Sequence, residues 1–184
     1  MTILHDRPNT ALLVIDVQNA VMAGTARRDE VIANINTLVD KARAEGVPVI
    51  WVQDFEEDHH PRGSEAWQVV PELTQNADEP VVDKTFPDSF EATNLEDVLE
   101  ERGVGRLIVA GAQTDECIRA TLHGGFTRGY DVTLVEDAHT TEDFSQYGAP
   151  PPEQVITHTN MYWKYHTGPG RQAATITTPE ASFK

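Results

Sequence analysis

Apolar residues in this chain follow two rhythms. Continuous short runs occur at 11–15 (ALLVI), 47–52, 107–110 (LIVA) and 132–135, with a brief Val81-Val82 and a closing run at 174–177. Runs of this length, apolar on both sides of the chain, suit strands of a parallel sheet covered on both faces. Between them the apolar positions return at helical spacing. One stripe, Val31, Ile32, Ile35, Leu38, Val39 and Ala42, predicts a helix over 29–45, with Gly46 where a C-terminal cap belongs. Leu95, Val98 and Leu99 predict a second helix, with Thr93 and Glu96 as a capping box and Gly103 at its end. Ile118, Leu122 and Phe126 predict a third, beginning near Asp115. A fourth starts after Pro150-Pro151-Pro152 and runs from about 153 to 165. The stretch 53–78 is polar and irregular, a long excursion with a short helix expected around Trp67.

Strands alternating with helices predict an α/β fold: three αβα layers around a doubly wound, six-stranded parallel sheet in the order 3-2-1-4-5-6, with right-handed crossovers. A chain of 184 residues is enough for one such domain, here 1–184, and short for two. In that order strand 1 lies beside strand 4, and ligands bind in the crevice at their carboxyl ends. Asp16 closes strand 1 and Cys117 follows strand 4, so the topology alone brings them together.

Charge removes one class of partner. The 30 acidic residues outnumber 14 scattered basic ones, a net −16, and phosphate backbones require clustered Lys and Arg. No stretch approaches eighteen consecutive apolar residues and no basic segment precedes an apolar run at the start, so neither a membrane span nor a signal peptide is expected. Cys117, the only cysteine, cannot close an internal disulfide, which fits a reducing cytoplasm. Strand 1 runs into DVQNA, not a GxGxxG turn, which argues against a dinucleotide binder.

Cys117 falls just after the turn 111–114, in the expected first turn of a helix. Free N–H groups and the helix dipole favour an anion there, so its thiol is expected below the free value of about 8.5. A structural cysteine is the alternative. Asp16 suits a proton acceptor and Lys84, at the end of strand 3, a charge balance; an N-cap and a surface lysine are their plain alternatives.

The segments LLVIDVQN, VVDKTFPDSF and GAQTDECIRAT, in this order, resemble the isochorismatase-like cysteine hydrolases. That superfamily includes nicotinamidases, N-carbamoylsarcosine and biuret amidohydrolases, and streptothricin hydrolase. The resemblance implies a triad of Asp16, Lys84 and Cys117. It also implies a non-proline cis peptide at Ala112–Gln113 and an oxyanion site made by the Gln113 and Cys117 N–H groups. Thr114 would brace that turn, or Thr114 or Asp115 would simply cap the helix. Nicotinamidases carry an Asp, a His two residues on, and a later His as a metal site. Here Asp54 is followed by Glu56, and His59-His60 stand together, so no metal and no cofactor is expected. His5, His123, His139, His158 and His166 form no ligand pattern. Pocket candidates are Gln18, Phe55, Trp67, Phe86, Phe90 and the run Met161-Tyr162-Trp163, with Trp163 the one best suited to packing. The resemblance also implies a homodimer or higher homo-oligomer and a small-molecule substrate. The expected activity is metal-independent cleavage of a small amide, urea or lactam through an acyl-cysteine; a metal-assisted nicotinamidase and a non-catalytic binding protein of the same fold are the alternatives.

Overall fold

The computed structural model describes residues 2–183. Its centre is a sheet of strands β1 (Asn9–Ile15), β2 (Val49–Asp54), β3 (Val81–Lys84), β4 (Val104–Ala112), β5 (Asp131–Thr140), β6 (Thr167–Gly168) and β7 (Arg171–Ile176). The spatial order is β3-β2-β1-β4-β5-β7-β6. All pairs are parallel except β6 with β7. The predicted order therefore holds, with β7 as the expected sixth strand. The seventh is the two-residue β6, which folds back on β7 through Thr167–Gln172 and Gly168–Arg171 pairing. A two-residue element has no periodicity to read, so it left no trace in the apolar pattern.

Alternation along the buried strands splits the core in two. Leu12, Val14, Ile108 and Ala110 face helix α2 (Arg28–Ala44) and its residues Val31, Ile35, Leu38 and Val39. Ala11, Leu13, Ile15, Leu107 and Val109 face helices α3 (Leu95–Glu101), α4 (Arg119–Arg128) and α5 (Pro152–Lys164). α2 ends as its sequence predicts: Gly46 takes a left-handed φ of 71° while Gly46 and Val47 donate N–H bonds to the carbonyls of Arg43 and Ala42. A short helix α1 (Asn19–Met22) follows β1. None of the described helices is long and apolar enough to cross a membrane.

Three expectations need correction. The capping box does not form: Thr93 Oγ1 donates to the Ser89 carbonyl, and Glu96 turns to Arg7 at 2.7 Å and Tyr130 at 2.9 Å, where a charged guanidinium outcompetes a backbone N–H. The segment around Trp67 is a set of turns tied by Trp67 N–H to Ser64 O, not a helix. Cys117 does not open an α-helix either. It lies in one π-turn, Thr114–Ile118, closed by the Ile118 N–H on the Gln113 carbonyl at 3.1 Å, and α4 begins only at Arg119.

Candidate active site

β1 ends beside the point where β4 turns away, since Ile15 pairs with Gly111. The approach is close enough to demand glycine: φ at Gly111 is 128°, and a Cβ would meet the Ile15 carbonyl oxygen at 2.0 Å. Asp16 follows in a left-handed conformation, φ 52°, uncommon for a side-chain-bearing residue. Its N–H is held by the Val52 carbonyl at 2.9 Å, which helps to fix that conformation. On the other flank Asp54 at the end of β2 pairs with Lys84 at the end of β3. The ends of β1, β2 and β3 and the turn after β4 thus enclose one small volume.

Lys84 crosses that volume. Its ammonium lies 2.8 Å from Asp16 Oδ2, 3.1 Å from Asp54 Oδ1 and 3.2 Å from Cys117 Sγ. Its side chain is fully buried, and so, but for 1%, is that of Asp16. The Cys117 thiol lies within hydrogen-bonding reach of the Asp16 carboxylate. Neither Asp16 oxygen has a well-formed hydrogen bond among the described residues, so the ion pair and the thiol contact are its compensation for lost water.

Burial governs the proton affinities. It raises that of Asp16, and the Lys84 charge only partly opposes it. For Lys84 burial acts downward, but Asp16, Cys117 and Asp54 outweigh it and hold the ammonium charged. Burial, then the Asp16 carboxylate, push the Cys117 thiol up, with Lys84 pulling down less. Burial of the sulfur and the neighbouring carboxylate act against the lowering expected of the thiol, which lies half-buried in a π-turn and not in the first turn of an α-helix. The Lys84 ammonium faces two carboxylates, Asp16 and Asp54, and the Cys117 thiol, whose proton Asp16 is placed to share. Removing that proton would set three anionic groups around one ammonium.

The Ala112–Gln113 peptide is cis, as the resemblance implied. The turn it opens is tied to the end of β5 at three successive residues. Gln113 Oε1 accepts from Thr141 Oγ1 at 3.1 Å and its Nε2 donates to Glu142 Oε1 at 3.1 Å. Thr141 Oγ1 is also 2.6 Å from Asp115 Oδ1. Thr114 Oγ1 meets His139 Nδ1 at 2.8 Å, both fully buried. Thr114 is thus the brace, and a simple cap role for it or Asp115 does not hold. Burial pushes the His139 imidazole down to about 4, with Arg27 adding to the effect and the Asn160 hydrogen bond, Asp137 and Glu136 opposing it. Sequence reasoning missed His139; its only signal is a place four residues beyond the expected strand 132–135, because β5 continues to Thr140.

The pocket candidates divide. Gln18 is fully buried and is a tether instead: it donates to the Asp54 and Trp67 carbonyls at 2.8 Å each and accepts the Asp54 N–H at 2.8 Å. That fixes the backbone from which the Asp54 carboxylate reaches Lys84. Phe90 is core: its ring packs 5.6 Å from Tyr130 and beneath the Arg128 guanidinium at 4.8 Å. Trp67 lines a cavity of about 280 Å³ with Gln53, Gln68, Val69, Leu73 and Gln75, away from Cys117. Phe55 stays near the site, its N–H on the Lys84 carbonyl at 3.1 Å and its ring under the Arg62 guanidinium at 4.5 Å. Phe86, two residues beyond Lys84, is 49% exposed. Trp163 is core, its Nε1 donating to Val132 O at 3.2 Å, whereas Met161 on the same helix is exposed.

The Asp54 oxygens are committed, one to Lys84 and the other to His60 Nε2 at 3.0 Å. His59 points outward, 3.9 Å from Glu56. Among the described residues no three His, Cys, Asp or Glu side chains converge as metal ligands would. This donor set does not fit a metal centre.

The family model described as "Isochorismatase domain" matches residues 10–149. Streptothricin hydrolase of Streptomyces noursei is 36% identical over 145 residues, 74% of this chain; the match spans only 56% of that relative. Ureidoacrylate amidohydrolase of Enterobacter sp. is 29% identical over 187 residues, covering 75% of this chain and 81% of the relative. The crystal structure of a cysteine hydrolase from Pseudomonas syringae pv. phaseolicola superposes with a TM-score of 0.83 at 25% identity, covering 94% of this chain and 90% of the other.

Proposed function

The chain belongs to the isochorismatase family, and on that premise we propose that it is a cysteine hydrolase cleaving the C–N bond of a small amide, urea or lactam without a metal. The observation that carries this reading is the buried contact of one ammonium, Lys84, with Asp16 and the Cys117 sulfur at 2.8 and 3.2 Å. The two similar relatives named for hydrolysis, streptothricin hydrolase and ureidoacrylate amidohydrolase, support the same class.

The chemistry follows from the shared proton. As the sulfur attacks a planar carbonyl carbon, its proton passes to Asp16, whose affinity burial has already raised. Positive charge on Lys84 is retained throughout and stabilises whichever partner carries the negative charge. The carbonyl oxygen takes the electron pair, and the Gln113 and Cys117 N–H groups hold it. Collapse of the tetrahedral adduct breaks the C–N bond, with Asp16 returning the proton to the leaving nitrogen. Water then attacks the thioester or thiocarbamate, Asp16 accepting its proton, and the proton returns to the departing sulfur. Phe55 and Phe86, on the strand ends beside Lys84, supply apolar wall to the substrate.

Acid-quenched enzyme incubated with a substrate found by ammonia release should carry an acyl mass on the peptide containing Cys117. Cys117→Ala should be inactive. Turnover at the wild-type rate in Cys117→Ala would overturn covalent catalysis. Activity lost on dialysis against a strong chelator and restored by zinc would overturn the metal-free reading.

A further inference from the structure

We propose that His139 is a positioning residue for the oxyanion site, acting through Thr114 on the turn that carries Gln113 and Cys117. The inference rests on the hydrolase reading above and adds a residue that the acid–base chemistry does not use.

Hydrogen bonds assign the protons. Asn160 Nδ2 donates to the Glu136 carbonyl at 3.0 Å, which turns Asn160 Oδ1 toward the imidazole. That oxygen only accepts, so His139 Nε2, 2.9 Å away, must carry a hydrogen. A neutral imidazole then has a bare Nδ1, and the Thr114 hydroxyl at 2.8 Å is its donor. The relay from Glu136 O through Asn160 and His139 to Thr114 joins helix α5, strand β5 and the nucleophile turn. All of Thr114 and His139 is buried, so water offers no substitute partner if either is removed. The sulfur has a separate hold, the Lys84 ammonium at 3.2 Å. His139 therefore governs where the backbone of the turn sits more than whether the thiol reacts. Oxyanion stabilisation is the step that depends on backbone placement.

Two reagents separate these effects on the full chain. Acetyl transfer from 4-nitrophenyl acetate forms an S–C bond and breaks the ester C–O bond, releasing 4-nitrophenolate through an oxyanion. Alkylation of the same sulfur by iodoacetamide displaces iodide and forms no oxyanion. In Thr114→Val and His139→Phe, acetyl transfer should fall roughly tenfold to a hundredfold, the scale of a misplacement of about 1 Å, while alkylation stays within about twofold of wild type. Thr114→Ser should restore acetyl transfer, and the double variant should be no slower than the slower single. Unchanged acetyl transfer in both single variants overturns the proposal, as does a parallel fall of the two rates. Nitrogen NMR of the wild-type imidazoles gives a check independent of variant folding: His139 should be the neutral Nε2–H tautomer at pH 7, and a Nδ1–H tautomer or an imidazolium would overturn the relay. Failure of the hydrolase reading is distinguishable, because acetyl transfer would then persist in Cys117→Ala.

Discussion

Replacing Lys84 by methionine removes one charge while keeping most of the stem that fills the site. Asp16 would then keep its burial and lose its ion-pair partner at 2.8 Å. Stripping one member from a buried pair typically costs about 3–5 kcal/mol when the other stays ionised. Asp16 can avoid that cost by taking up a proton, so the penalty must depend on pH. Burial already raises its proton affinity in the presence of Lys84, and removing the ammonium raises it further. A carboxyl whose folded affinity exceeds its unfolded value, about 3.9, favours folding at low pH and loses that advantage as pH rises toward the folded value. Each pH unit in that window is worth about 1.4 kcal/mol. Between pH 5 and pH 8 the variant should therefore lose up to about 4 kcal/mol relative to wild type, or roughly 10 °C in melting temperature for a chain of this size. Urea unfolding of both proteins at the two pH values measures the difference directly. Asp16→Asn placed on Lys84→Met should recover most of the loss at pH 8. A stability gap independent of pH, or no recovery in the double variant, would refute the charge balance argued for this site.

The same balance sets the thiol. Cys117 should react with iodoacetamide more slowly than free cysteine at pH 7, and Asp16→Asn should speed that reaction while abolishing turnover, since Lys84 then stabilises the thiolate alone; slower alkylation in Asp16→Asn would contradict the shared proton. Gly111→Ala should cost more than about 4 kcal/mol or give no soluble protein, because its Cβ would lie 2.0 Å from the Ile15 oxygen. Gly46→Ala, with a left-handed φ but open space around it, should cost only about 1 kcal/mol by thermal unfolding. Glu79 accepts from Trp51 Nε1 at 2.7 Å and Arg43 Nε at 2.7 Å; Glu79→Gln should destabilise by about 1–3 kcal/mol at pH 7. Although burial opposes it, these donors hold the Glu79 carboxyl below its usual range, so its contribution should vanish as the pH falls through that lowered value.

Much of this molecule was legible in residue order alone. Apolar runs and stripes report burial directly, since a strand covered on both faces or a helix packed on one has to be apolar there. The strand order, the meeting of Asp16 with Cys117, and the glycine that ends α2 follow from such local signals. The resemblance of three segments added Lys84 and the cis peptide at Ala112–Gln113. What residue order could not carry was the environment of polar side chains, because proton affinity depends on the water that tertiary contacts exclude. The helix-start position of Cys117 argued for a lowered thiol, whereas the fold half-buries the sulfur and sets the Asp16 carboxylate on it, both of which act upward. Gln18 and Phe90 were expected in the pocket, and the fold uses one to tether Asp54 and the other to fill the core beneath Arg128. His139 had no local pattern to betray it. Its proposed role exists only because β5, α5 and the turn that carries Cys117, separated in sequence, meet at a single imidazole.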